Sequence, residues 1–111
     1  MTGTMRQGYD HELSLALSAM AESEWDRAFH HLENAHVLGQ SSIRCHTISH
    51  WWMLRWSVRT QDYRELLGQI PRIAASLIFS RIWTPTGNTG GSNVSAFRPM
   101  PLRSELQAYF D

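Results

Sequence analysis

Apolar residues recur at i, i+3, i+4 and i+7 along four successive stretches of this chain, and the recurrence ends near residue 82. That period admits amphipathic helices and argues against the two-residue alternation of half-buried strands. Leu13, Ala16, Leu17 and Met20 mark a first helix over 11–21. A second, over 24–38, carries Trp25, Ala28, Phe29 and Leu32, with Ser23 as the expected N-cap and Gly39 as the expected C-cap. The third, over 42–59, is apolar around most of its circumference, which predicts a central position. The fourth, over 62–82, repeats Tyr63, Leu66, Leu67, Ile70, Ile73, Ala74, Leu77 and Ile78, and Pro71 inside it predicts a kink or a break.

Residues 83–102 change texture: "TPTGNTGGSNVSAFRPMP" is a loop rich in Gly, Asn and Pro, and "RSELQAYF" predicts a short helix over 103–110. A weak internal repeat sets Trp25 over Tyr63, Ala28 over Leu66 and Leu32 over Ile70. The offset falls in the range of about 34 to 47 residues used by helical-hairpin repeats. The expected fold is all-α, two antiparallel helical hairpins arranged either like tetratricopeptide repeats or as a four-helix bundle. The 111 residues, 42% hydrophobic, suit one core and a single domain over 1–111.

Charge excludes some partners. Ten arginines balance ten acids, so no net field recruits nucleic acid or anionic lipid. No stretch reaches the ~18 apolar residues of a membrane span, and "MTGTMRQGYDHELSL" lacks the apolar run of a signal peptide. The single cysteine, Cys45, fits a reducing compartment, so the expected location is the cytoplasm.

The chemistry lies in the histidines. His30, His31, His36, His46 and His50 fall within 21 positions. On the second helix His36 continues the apolar sector, whereas His30 points nearly away from it. An antiparallel turn near residue 41 sets His36 opposite His46, and Glu33 opposite His50; a turn near residue 22 brings Glu12 opposite Glu33. Glu33, His36, His46 and His50, with Glu12 as a fifth, are therefore candidate ligands for zinc or another divalent transition metal. Only one Glu-x-x-His pair is present, so a complete di-iron bundle site is excluded. His31, on the edge of the second helix, is a candidate for an outer-shell or capping role as much as for ligation. The structural alternative is a buried imidazole bonded to a neighbouring carboxylate or carbonyl with no metal.

"GNTGGSNV" offers consecutive backbone N–H groups but lacks the lysine and hydroxyl of a phosphate-binding loop. Its expected role is to fold back over the histidine end, with Asn88, Gly90, Gly91 and Asn93 shaping it. No nucleophile arrangement is evident, because Cys45 and His46 diverge by about 100° on a helix.

Three stretches, "HLENAHVLGQ" (31–40), "HWWMLRW" with "LLGQIPRI" (50–56, 66–73) and "GNTGGSNVSAFRPMP" (87–101), together resemble the small bacterial family called domain of unknown function 3703. The likeness runs from about residue 12 onward and includes His31, Glu33, His36, Gly39, His50, Asn88, Gly90, Gly91 and Asn93; Pro71 departs from the aliphatic residue expected there. The resemblance implies no activity. Two functions follow from the residues: metal binding through the His/Glu cluster, or a tetratricopeptide-like adaptor whose Trp and Arg surface docks a protein partner.

Overall fold

Helices start where a side-chain oxygen meets the first unpaired backbone N–H groups. In the computed structural model, which describes residues 1–79, 86–95 and 98–110, α1 (Gly3–Ala21) begins behind Thr2, whose Oγ1 accepts from the Met5 N–H at 3.1 Å. α3 (Ile43–Thr60) begins behind Ser42, which accepts from the Cys45 N–H. α4 (Tyr63–Phe79) begins behind Asp62, whose carboxylate accepts from the Glu65 N–H at 3.1 Å. A 3-10 helix covers Ser104–Phe110, and the described residues form no strand, so the fold is all-α.

Several boundaries differ from the sequence expectation. α1 begins at Gly3 rather than near residue 11, because Tyr9 extends the buried stripe of Leu13, Ala16 and Met20 by another turn. α2 (Trp25–Gly39) has no side-chain cap: Ser23 takes a left-handed φ of 58° in the preceding turn, and Glu24 occupies the cap position. Gly39 is the last helical residue of α2, not a left-handed cap; its use is contact, since a Cβ there would lie 2.8 Å from Cys45 Cβ and 2.9 Å from Tyr9 Cδ2. α4 continues through Pro71 without a break, and its expected extension over 80–82 lies outside the described residues.

Sequence neighbours are spatial neighbours. α2 packs between α1 and α3, and α4 packs on α3; among the described residues the α4 backbone approaches neither α1 nor α2. The gap between α2 and α4 is occupied by residues 86–95, which hydrogen-bond to both helices. Buried apolar residues form three clusters: Tyr9, Ala35, Val37, Leu38, Cys45 and Leu106; Ala16, Leu32 and Met53; and Ala19, Met20 and Ala28. None of these comes from α4. Among its described side chains the buried ones are the polar Glu65, Gln69 and Ser76, while Tyr63, Leu67, Ile70, Leu77 and Ile78 face solvent. Leu66 and Ile73 are half-buried, but most of the apolar stripe that the sequence marks on this helix is turned outward.

Gly39→Ala is expected to destabilise the protein by about 1–3 kcal/mol in denaturant unfolding, because overpacking against Tyr9 and Cys45 outweighs the ~1 kcal/mol gain in helix propensity. An unchanged or higher midpoint would show that the α1–α2–α3 contact yields easily.

Candidate metal centre

His36 lies in the last turn of α2, and His46 and His50 stand one turn apart in the first half of α3. The short connection between the helices sets the three rings against one another. One ring nitrogen of each lies within 4.8 Å of those of the other two. His36 Nε2 is 3.2 Å from His50 Nε2, and His50 Nε2 is 3.1 Å from His46 Nε2. All three side chains are buried.

The hydrogen bonds fix which nitrogens carry protons. His36 Nδ1 is 2.7 Å from the Asn88 carbonyl oxygen, a group that only accepts, so this nitrogen donates. Gln69 Nε2 donates to Glu65 Oε2 at 2.5 Å and to the Gly90 carbonyl at 2.9 Å, which leaves Gln69 Oε1 to accept from His50 Nδ1 at 2.6 Å. Both rings therefore hold their proton on Nδ1, and their bare Nε2 lone pairs face each other. Two acceptors at that separation repel, and a cation bound between them would turn the repulsion into attraction.

A proton is a poor candidate for that cation. Burial, then His50 and His46 beside it, holds His36 well below the usual histidine range. Burial, followed by His46, lowers His50 to about 3 despite the bond to Gln69, and burial lowers His46 to about 4. Arg72 adds a further positive charge near His36 and His50. Its guanidinium is held in place by the Gly68 and Val94 carbonyls at 3.0 and 2.9 Å.

The glycine-rich segment folds over this end, as its sequence led us to expect. Gly87 and Gly90 have φ of 83° and 84°, values that disfavour any side chain. A Cβ on Gly90 would stand 2.6 Å from His36 Cδ2, so the imidazole lies against bare backbone. Asn88 supplies the carbonyl for His36, and its side chain ties the loop to itself: Nδ2 donates to the Ser95 and Arg98 carbonyls, and Oδ1 accepts from the Gly90 N–H at 2.9 Å. Gly91 is buried beside Phe29, and Asn93 is exposed. Ser92 N–H donates to both Glu65 carboxylate oxygens at 3.1 Å, which anchors the loop to α4.

Other expected participants are engaged elsewhere. Glu33 accepts from Arg103 at 2.9 Å, and Glu12 pairs with His31 Nδ1 at 2.5 Å. Among the described residues the group close enough to share an ion is His36, His46 and His50 alone. Glu33 lies on the flank of α2, where the segment before the 3-10 helix brings an arginine to it. The helix register places Glu12 level with His31, so neither residue reaches the three rings. His30 bonds Glu105 at 2.8 Å, away from the cluster. Glu65, Gln69 and Arg72 escaped the sequence reading. Their spacing of i, i+4 and i+7 opposite an apolar stripe is the ordinary signature of a solvent face.

Without bound metal, stability should fall with acid in a defined window. These histidines are neutral when folded and titrate near 6.5 when unfolded, so the unfolded state takes up protons that the folded state refuses. Their contribution is complete above pH ~6.5 and declines toward pH ~4 by up to about 1.4 kcal/mol per pH unit for each ring. Urea unfolding of metal-stripped protein from pH 7.5 to 4.5 measures this. A flat profile would mean that the rings are accessible to protons in the folded state.

Neither a curated protein nor a solved structure matches this chain. A family match does extend across nearly all of it, taking in α1, the three histidines, the covering loop and the 3-10 helix. Over residues 3–110 the chain belongs to the family described as Protein of unknown function (DUF3703).

Proposed function

We propose that this protein binds a divalent transition metal ion, zinc in the first instance, through the Nε2 atoms of His36, His46 and His50. The observation that carries the reading is the pair of bare Nε2 atoms on His36 and His50 at 3.2 Å, each ring held by an Nδ1–H bond to a carbonyl-type oxygen. Two nitrogens bound at ~2.0–2.1 Å to one tetrahedral ion lie about 3.3 Å apart. Orientation of a ligand ring through its second nitrogen is the usual outer-shell device of histidine metal sites. Burial, which opposes protonation, favours the neutral imidazole that a metal requires.

Three nitrogen donors without a carboxylate suit zinc, cobalt, nickel or copper(II) better than manganese, which prefers oxygen. Three protein ligands also leave a coordination position for water or another small ligand. Glu65, hydrogen-bonded to Gln69, places a carboxylate one residue behind His50 and offsets part of the ion's charge. A cytoplasmic location is consistent with the lone buried thiol of Cys45. No helix among the described residues is long and apolar enough to cross a membrane. The adaptor reading has less support, because Arg55 and Arg59 stack on Trp52 and Trp25, and Trp56 Nε1 donates to the Trp25 carbonyl.

Protein purified without a histidine tag should take up one equivalent of zinc by calorimetry, and zinc at a hundred times its dissociation constant should add about 2.7 kcal/mol to the unfolding free energy. His50→Ala should abolish uptake, and Gln69→Ala should weaken it by roughly 10–100-fold. Asn88→Ala separates the two roles of the loop: lower zinc affinity at an unchanged melting temperature of the stripped form marks a part of the site. Equal loss with and without zinc marks a structural cap. A wild-type melting temperature that zinc leaves in place would remove the reading.

A further inference from the structure

Among the described residues, the outward face of α4 has no partner. Glu65, Gln69, Arg72 and Ser76 fall in an arc of about 60° on this helix, and Tyr63, Leu67, Ile70, Ala74 and Leu77 are centred on the opposite side. Of these, Tyr63 is 65% exposed, Leu67 68%, Ile70 55% and Leu77 59%, with Ile78 beside them at 63%. The α3–α4 hairpin adds Trp51 and Val58, so among the described residues every large exposed hydrophobic except Met1 belongs to this one hairpin. A concentration of exposed apolar side chains of this kind marks an interface.

The spacing identifies the kind of partner. Positions 63, 67, 70, 74 and 77 step by four, three, four and three, the seam of a helix that packs knobs into holes against another helix. We infer that the partner is a second copy of this chain, with the two α4 helices antiparallel about an axis through Ile70. The seam complements its own reverse: Ile70 meets itself, Tyr63 meets Leu77, and Leu67 falls within one residue of the small Ala74 of the second copy. No like charges are opposed along the seam, since Glu65 and Arg72 lie on the inward face and Arg64, the remaining charge of α4, stands on the flank of the seam rather than on the axis. Covering these half- to two-thirds-exposed side chains removes roughly 500 Å² from each copy, about 1,000 Å² in all, the size at which specific interfaces begin. This pairing leaves the histidine cluster untouched, because the polar face of α4 remains inward.

Sedimentation of the wild-type chain at micromolar and at submillimolar concentration should give twice the 12.8 kDa of one chain at the upper end. Ile70→Asp places two carboxylates on the axis and should yield the monomer mass. Its helical circular dichroism should be unchanged, since the position is exposed. Ile70→Cys should form a disulfide-linked dimer on mild oxidation, whereas Ser14→Cys, on the exposed side of α1, should not. Cys45 is buried and does not compete. A monomer at every concentration, a dimer indifferent to Ile70→Asp, or association only with a different macromolecule or with lipid vesicles would each overturn the inference.

Discussion

A buried imidazole that commits one nitrogen to a hydrogen bond must find something for the other nitrogen to face. In this fold two such rings face each other, and much of the remaining architecture follows from holding them there. His36 needs an acceptor on the far side of α2, and no helix provides one, so the chain brings Asn88 back to supply a carbonyl. His50 needs an acceptor from α4, and Gln69 provides it. That glutamine needs sinks for its own N–H groups, which Glu65 and Gly90 supply, and Glu65 in turn fastens the loop through Ser92. Each N–H group in this series of bonds finds its acceptor in the next residue, as a network in a low-dielectric interior requires, and the Nε2 atoms of the two rings are what remains.

The cost of that arrangement falls on α4. A helix has one inward face, and α4 uses it for the side chains that orient the histidines. Tyr63, Leu67, Ile70, Leu77 and Ile78 are left on the opposite side. The helix is therefore held by hydrogen bonds and by α3, and its apolar surface is available for association. The proposed metal site and the proposed dimer seam use two faces of the same sequence stretch.

How much of this could be read beforehand depended on whether local rules were enough. The number and order of the helices followed from periodicity, and the meeting of His36 with His46 and His50 followed from a short antiparallel turn. The loop's position followed from the up-down path of the helices. The extra turns at the start of α1 were hidden because Gly8 resembles a breaker, whereas its bareness admits Tyr109: a Cβ would stand 2.8 Å from that ring. Glu12 and Glu33 drew attention by spacing alone, and spacing does not reveal that His31 and Arg103 reach them first. The orientation of α4 was the hardest to foresee. A hydrophobic stripe states which residues share a face but not which way the face turns, and here buried polar chemistry decided it.

Leu106 is fully buried in the cluster that contains Tyr9, Ala35, Val37, Leu38 and Cys45, and the 3-10 helix that bears it lies against α1 and α2. Nearly the whole chain separates Tyr9 from this partner. During synthesis the apolar pocket built by α1, α2 and the start of α3 is consequently present but unfilled while α4 and the loop emerge, and it closes only when the segment bearing Leu106 arrives. Helix pairing can begin early, since its contacts are local, but the final packing is long-range and late. For the nascent chain, the interval before Leu106 docks is the period when exposed core surface is most open to chaperones and to misassociation.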